Sequence, residues 1–375
     1  MILTNDQTAV RDAVRDFAQE RIRPGSVAFE RAGGYPSELF VELGRLGLMG
    51  MTAPADVGGA GADYVSYALA LMEIAAADGA LSTIVSIQNS IMVSGLLKDG
   101  SPEQKKRWLP SLISGEAIGA FALTEADAGS DAAAIRTRAT RVPEGWRIDG
   151  AKQFITSGRI ASVAMVIAVT DPEAGRRGIS AFLVPTDTPG YSVDKVEHKL
   201  GQAASDTCGI RFENCVVPED ALLGVEGRGY SIALSNLEAG RIGIAAQSIG
   251  MAQAALDTAV TYARDRRSFE KVIIEHQAVG FRLADMATRL EAARQLVLHA
   301  ASLKDAGEPA LNAASMAKLF ASETAEAVAS GAIQTLGGYG YLEEFGLAKI
   351  YRDVKVCQIY EGTSDVQRMV IARGL

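Results

Sequence analysis

Apolar residues recur at helical spacing in the first third of the chain. Thr4 and Gln7 form a capping box, which predicts a first helix that ends at Pro24–Gly25. A second capping box stands at Ser101–Gln104, and Gly115 marks the end of the helix that follows. Alanine-rich apolar segments lie between the two boxes. This part of the chain is therefore predicted to be helical up to about residue 119.

The pattern changes to β-type spacing from about Ala120 to Leu223. Short runs rich in β-branched and aromatic residues alternate with turn residues, and strands are predicted over Val163–Val169, Ile179–Val184 and Ile210–Val217. Closely spaced strands with such turns favour a small barrel or sandwich over a parallel sheet.

Long helical patterns return after Gly229. Helices are predicted over Tyr230–Arg264, His276–Asp305 and Ala310–Leu336, with a shorter helix at the C-terminus. Long helices joined by short connections indicate an antiparallel bundle. The predicted fold class is α+β with three domains: N-terminal helices over residues 1–119, a small β-barrel over 120–225 and a four-helix bundle over 226–375.

Composition narrows the functional class. The formal net charge of −8 disfavours nucleic-acid binding, which needs a basic surface. The longest apolar runs are too short to span a bilayer, and residues 1–9 lack a signal-peptide pattern, so no membrane association is expected. The three cysteines form no CxxC pair, and the three histidines are isolated, so we expect a reducing cytoplasm and no metal site.

Two glycine-rich stretches do not predict a dinucleotide-binding fold. Gly58–Gly61 and Gly337–Gly340 neither follow a strand nor open a helix within a βαβ unit. The second stretch could still allow a ligand to approach the backbone closely, although a simple helix end explains it equally well.

The run Ile359–Arg368 contains the most informative carboxylate. Glu361 lies between Tyr360 and Gly362, and Ser364 with Gln367 has capping-box spacing, so a helix start is predicted at Thr363–Ser364. A glutamate beside the free N–H groups of a helix start is a reasonable general base for a weakly acidic C–H. A solvated acid is the alternative that this segment leaves open.

Four further stretches accompany Glu361 in this helix–β–helix order: Phe121–Asp131, Phe154–Gly158, Leu237–Arg241 and Arg266–Phe269. Together they resemble the acyl-CoA dehydrogenase family over essentially the whole chain. The similarity is strongest to the short-chain (butyryl-CoA) branch, through Gly240–Ala245 and Tyr360–Ser364.

The resemblance implies that the chain binds FAD. Residues matching family contacts to the flavin lie in the loop after the first strand and in the following turn: Phe121, Leu123, Thr124, Gly129, Ser130, Phe154, Ile155 and Thr156. Further matching cofactor contacts are Arg266, Phe269, Gln277, Gln334, Gly337, Gly338, Thr363 and Asp365, of which Arg266 and Phe269 match a segment that reaches a neighbouring subunit's cofactor. Positions matching the acyl-CoA channel are Ser130, Glu238, Arg241 and Gly362.

The resemblance also implies a reaction. Glu361 would take the α-proton of an acyl-CoA thioester while FAD accepts the β-hydrogen as hydride, giving a trans-2-enoyl-CoA. The backbone N–H of Glu361 would help to hold the thioester carbonyl. Electrons would pass to an electron-transfer flavoprotein, and the shared cofactor contacts imply a homotetramer.

Several residues distinguish branches of the family. Gly240 stands where isovaleryl- and long-chain-type members carry their base, and no arginine occurs over Asp78–Gln88, where glutaryl-type members have one. Ala126-Asp127 replaces the common Pro-Gly, Glu270 replaces a usual glycine, and Asp365 is shorter than the usual Glu or Gln.

Two functions other than acyl-CoA dehydrogenation stay open. One is a flavin monooxygenase or nitroalkane-oxidase-like enzyme, and the other is a non-catalytic family member that acts as a binding partner.

Overall fold

The computed structural model describes residues 1–375 and begins with seven helices. They are α1 Asn5–Phe17, α2 Ser26–Ala32, α3 Ser37–Arg45, α4 Tyr64–Ala77, α5 Gly79–Ile87, α6 Ser94–Asp99 and α7 Pro102–Ser114. Both predicted capping boxes form, at Thr4 and at Ser101, and Gly115 ends α7 in a left-handed conformation. The predicted end of the first helix at Pro24–Gly25 is wrong: α1 continues through short π- and 3₁₀-helical turns into α2.

Eight strands form the central sheet. They are β1 Gly119–Ala122, β2 Arg138–Val142, β3 Gly145–Thr156, β4 Val163–Val169, β5 Ile179–Pro185, β6 Tyr191–Val196, β7 Thr207–Val217 and β8 Leu222–Leu223. The order is β6-β7-β3-β2-β4-β5-β8, and β1 pairs in parallel with β4. Most other pairs are antiparallel, in keeping with the short turns between them.

Five helices form the C-terminal part: α8 Gly229–Asp265, α9 Gln277–Asp305, α10 Leu311–Leu336, α11 Leu347–Val354 and α12 Ser364–Arg373. A small hairpin, β9 Arg267–Ser268 with β10 Lys271–Val272, joins α8 to α9. The three long helices begin and end within one residue of the predicted bounds. The three-part architecture of helices, β domain and helices is therefore confirmed.

The largest hydrophobic core joins the two helical parts. Its buried members come from α1, α3, α4 and α5 on one side and from α8, α9 and α10 on the other. One continuous helical stretch, Gly79–Asp99, is long and apolar enough to cross a bilayer, but 89% of its apolar window is buried inside the protein. That stretch serves here as part of the core.

Candidate active site

Glu361 lies in a tight turn immediately before α12. Its φ of 53° and that of Gly362, 91°, are both left-handed. A non-glycine residue pays a conformational penalty for this region, so the surrounding contacts must hold the turn. The turn is followed at once by the N-terminus of α12, where the hydroxyl of Thr363 accepts the N–H of Val366 at 3.2 Å.

The predicted capping box of Ser364 and Gln367 is not formed. Thr363 caps α12, and the side-chain amide of Gln367 instead donates to the carbonyl oxygens of Gly362 at 2.9 Å and Glu361 at 3.3 Å. The spacing is compatible with a box, but the left-handed turn brings the carbonyl groups of Glu361 and Gly362 within reach of the amide. Gln367 therefore stabilises the turn that presents Glu361.

The Oε2 atom of Glu361 is buried against α8 and has no hydrogen-bond partner, while the residue as a whole is half-buried. A Cβ atom on Gly240 would lie 1.9 Å from that oxygen, so only glycine leaves room for it. Burial raises the pKa of Glu361 to about 7, against the opposing effects of Lys318 and Arg241. An unpaired carboxylate with such a pKa can exchange a proton near neutral pH.

Two cations on different helices, Lys318 and Arg241, oppose the effect of burial on the pKa of Glu361. Arg241, in α8, is buried, and its Nη1 donates to Ser315 Oγ at 3.2 Å while Nε has no partner. Burial lowers the pKa of Arg241, and Glu361 and Glu238 oppose that shift. Lys318, in α10, donates to the Gly362 carbonyl at 2.8 Å.

Glu238, the other acidic residue predicted for the acyl-CoA channel, lies one helical turn before Arg241 in α8. It is half-buried, and Lys304 lies 3.4 Å from its carboxylate. It is thus already paired, and it belongs to the rim of the site rather than to its buried centre.

A hydrogen-bond network holds Tyr360 beside the base. Its hydroxyl donates to Gln247 Oε1 at 2.6 Å, and Gln247 Nε2 donates to Thr83 Oγ1 at 2.6 Å. Thr83 in turn donates to Gln202 Oε1 at 2.7 Å. The network joins α5, α8 and the loop before β7 to the residue that precedes Glu361. Burial raises the pKa of Tyr360, which keeps its hydroxyl protonated as a donor.

Glu125 and Lys152 hold the loop that is predicted to contact the flavin. Phe121 lies in β1 and Leu123 is buried, whereas Gly129 and Ser130 are exposed and Thr124 is half-buried. Glu125 accepts the backbone N–H groups of Arg136 and Thr137 at 2.6 and 3.0 Å. The buried amine of Lys152 donates to Glu125 at 2.8 Å and to the Leu123 carbonyl at 2.9 Å.

Phe154 presents an aromatic surface to solvent at the end of β3. Its φ of 60° is left-handed and its side chain is 58% exposed, between buried Lys152 and Ile155. Thr156 is half-buried at the last position of the strand. An exposed phenyl ring on a strained backbone suits a planar ligand that stacks on it.

A cavity of about 480 Å³ brings together four of the predicted cofactor residues: Arg266, Gln334, Gly337 and Gly338. The Arg266 guanidinium lies 5.8 Å from the ring centroid of Tyr339, which also lines the cavity. Nothing lies within 4 Å of a Cβ built on Gly337 or Gly338, so the backbone there is open to a ligand. An arginine, an aromatic ring and bare backbone fit the nucleotide part of FAD.

Three other predicted cofactor residues lie on the surface. Phe269 is 88% exposed, and Gln277 and Asp365 are also exposed, the last paired with Arg368 at 3.3 Å. Glu270 has a φ of 68°, a conformation that a glycine would adopt without strain. A single chain thus brings Glu361, Gly362 and Arg241 together at one site, whereas Phe269, Gln277 and Asp365 face outward.

Three family models match three successive segments of the chain, which correspond to its three structural parts. The acyl-CoA dehydrogenase N-terminal domain matches residues 4–116, the middle domain 120–215 and the C-terminal domain 227–375. The chain belongs to the acyl-CoA dehydrogenase family. It is therefore an FAD-dependent oxidoreductase that acts on acyl-CoA.

Relatives of this acyl-CoA dehydrogenase include a human protein, the mitochondrial short-chain specific acyl-CoA dehydrogenase. It is 45% identical over 96% of this chain and 87% of its own length. Butyryl-CoA dehydrogenase from Megasphaera elsdenii has a TM-score of 0.97 at 39% identity, covering 100% of this chain and 99% of that one. A chain from structural work on the electron transferring flavoprotein of Acidaminococcus fermentans and flavin-based electron bifurcation has a TM-score of 0.98 at 40% identity, with 100% and 98% covered.

Several residues of the site were not found from the sequence. Lys318, Gln247 and the Glu125–Lys152 pair lie in helices and strands whose pattern looks regular, so only the packing reveals them. A lysine at a buried position of β3 is the one available signal, because inward-facing strand positions are otherwise apolar. The assignments to individual cofactor and substrate contacts stay predictions.

Proposed function

We propose that this acyl-CoA dehydrogenase oxidises a short straight or branched acyl-CoA to the trans-2-enoyl-CoA, with Glu361 as the base. The observation that carries the proposal is the buried, unpaired Oε2 atom of Glu361 against Gly240, in a carboxyl group whose pKa burial raises to about 7. A base with a pKa near the working pH combines a large ionised fraction with sufficient basicity.

The chain's own groups supply binding, position and proton transfer. Glu361 removes the α-proton, and its backbone N–H lies in the turn where a thioester carbonyl can be held. FAD, when bound, would supply the acceptor for the β-hydrogen, transferred as hydride with its two electrons. Gln367, Thr363 and the Tyr360 network keep the turn in place, so the carboxylate does not need to reorganise.

The preference for short chains is supported by the relatives and by Gly240. The human relative is named for short-chain substrates, and the Megasphaera protein for butyryl-CoA. A base at position 240, as in the isovaleryl- and long-chain-type pattern, is impossible here because that residue is glycine.

We further propose an electron-transfer flavoprotein as the electron acceptor and a homotetramer as the assembly. The first is supported by the similarity to the chain from work on the Acidaminococcus electron transferring flavoprotein. The second is supported by Phe269 and Tyr341, which are 88% and 85% exposed near the Arg266 cavity in a single chain. A neighbouring subunit would cover these rings.

An anaerobic titration tests the proposal. The purified, FAD-loaded protein is mixed with acyl-CoAs of two to sixteen carbons and branched C4–C5 acyl-CoAs, and the flavin absorbance is followed. Rapid bleaching by butyryl-CoA or a neighbouring chain length is the expected result. Bleaching only by long chains contradicts the short-chain assignment, and no bleaching by any acyl-CoA contradicts the reaction.

A further inference from the structure

The amine of Lys318 lies beneath the turn that presents Glu361. Lys318 belongs to α10, its side chain has no solvent exposure, and its Nζ donates to the Gly362 carbonyl at 2.8 Å. The same carbonyl accepts from Gln367, so both donors hold one oxygen of a turn whose two central residues are left-handed.

This amine has no carboxylate partner of its own. Lys318 makes no ion pair within 4 Å, although a buried ammonium group ordinarily requires one. The other buried lysine of the chain, Lys152, is paired with Glu125, and the half-buried Lys349 is paired with Asp353. Of the two acidic groups that act on the pKa of Lys318, Cys357 is an uncharged thiol, because burial raises its pKa, so Glu361 is the one that carries a negative charge near neutral pH.

We propose that Lys318 is a positioning residue for the base: it holds the Gly362 carbonyl, and its charge favours the carboxylate form of Glu361. The inference rests on the proposed function, in which Glu361 is that base. The carboxylate has no hydrogen-bond donor at Oε2, so nearby charge is what stabilises its ionised form inside the protein.

The other groups around Glu361 leave this role to Lys318. Arg241 in α8 is the second cation, but its charge also interacts with Glu238, one helical turn earlier. Tyr67 in α4 is neutral, because burial raises its pKa. Among the groups that oppose the effect of burial on the pKa of Glu361, Lys318 has the largest influence. Burial lowers the pKa of Lys318 itself to about 8, so its amine is mainly protonated at neutral pH.

The experiment compares Lys318→Met and Lys318→Gln with the parent protein, all loaded with FAD. Met removes the charge and the hydrogen bond, whereas Gln removes the charge and keeps a donor for Gly362. Lys355→Met is the control. Lys355 is near Glu361 in the sequence, but it is partly exposed and paired with Glu326 at 3.1 Å. The rate of flavin reduction by butyryl-CoA is measured from pH 5.5 to 9.5, together with thermal unfolding.

In both Lys318 variants, the midpoint of the curve of flavin-reduction rate against pH should move to higher pH by about one unit or more. Loss of a nearby opposite charge raises the pKa of a carboxyl group in this way. Lys355→Met should keep the parent midpoint. A Lys318→Met profile that superposes on that of the parent overturns the proposal. A displacement in Lys318→Met but not in Lys318→Gln overturns its electrostatic part. Failure of the parent protein itself to react would instead contradict the proposed function, so the two failures are distinguishable.

Discussion

Gly240 and Glu361 occupy the two sides of one contact, in which a Cβ on Gly240 would lie 1.9 Å from the Glu361 carboxylate. That distance is far below any normal contact between carbon and oxygen. The two candidate positions for a base in this family therefore exclude each other here: a side chain at position 240 removes the space that the carboxylate of Glu361 uses.

Gly240→Ala should slow flavin reduction by acyl-CoA by about one to two orders of magnitude, because a misplaced base loses its near-attack geometry. The folded protein should not lose helix stability, since alanine is favoured over glycine inside a helix by roughly 1 kcal/mol. Stopped-flow absorbance with butyryl-CoA measures the rate, and thermal unfolding measures the stability.

Gly209→Ala is the matched control for that variant. The nearest heavy atom to a Cβ at position 209 is 3.9 Å away, which is an ordinary van der Waals contact. Its reduction rate should equal that of the parent. A Gly240→Ala protein that reacts at the parent rate would show that Glu361 does not need its observed position.

The sequence predicted most of the fold because the relevant signals are local. Capping boxes, helical periodicity and apolar runs identified the bounds of α8, α9, α10 and β4 to within one residue. The exception at Pro24–Gly25 has a physical reason: a proline at the first turn of a new helix is compatible with helical backbone, so the chain turns without ending its helical course.

The site was less accessible to prediction from the sequence. Glu361 was a candidate base from its own segment, and the family resemblance decided between a base and a solvated acid. Gly240 was found through the resemblance, but nothing in the chain predicted that Gln367 would bind the turn rather than cap the helix. Lys318 lies in a helix where a lysine normally marks the solvent face. Its burial follows from contacts between segments more than forty residues apart, and spacing along the chain does not contain that information.

Glu361→Gln should retain FAD and bind acyl-CoA, yet reduce the flavin several orders of magnitude more slowly, because the amide cannot accept the α-proton. The change keeps the shape of the side chain. Flavin content, the spectral response to a non-reacting acyl-CoA analogue and the stopped-flow rate separate binding from chemistry. Reduction at a near-parent rate would place the base elsewhere.

The rate of flavin reduction by the parent protein should rise with pH through about 7, where Glu361 loses its proton. The raised pKa of Glu361 also makes the stability of the folded protein depend on pH: stability falls over the pH range in which the rate rises. The pKa of the folded state lies above that of an unfolded glutamate, so the stability that the protonated form contributes is lost as pH rises to about 7. Glu361→Gln should therefore gain thermal stability over the parent at pH 8 and little at pH 4.5.

Lys152→Met should destabilise the β domain by up to about 3–5 kcal/mol, because it leaves the half-buried carboxylate of Glu125 without its buried cation. Glu125 also holds the backbone of Arg136 and Thr137, so FAD retention should fall with it. Arg211→Met is the contrast: its pairs with Asp194 and Glu213 are exposed, and the cost should stay below about 1 kcal/mol. Equal urea midpoints for the two variants would refute this account of the loop.

Arg266→Ala should weaken FAD retention, because a charge-assisted hydrogen bond to a phosphate group contributes about 1.5–3 kcal/mol. Arg266 lines the cavity with Gly337 and Gly338, whereas Arg264, two residues earlier, is exposed and outside it. Arg264→Ala is therefore the control and should keep its flavin. Both proteins are passed through gel filtration, and the ratio of flavin to protein absorbance is measured along with the oligomeric state. Loss of flavin in Arg266→Ala with an unchanged assembly would assign the residue to the cofactor, whereas equal retention in the two variants would remove it from the site.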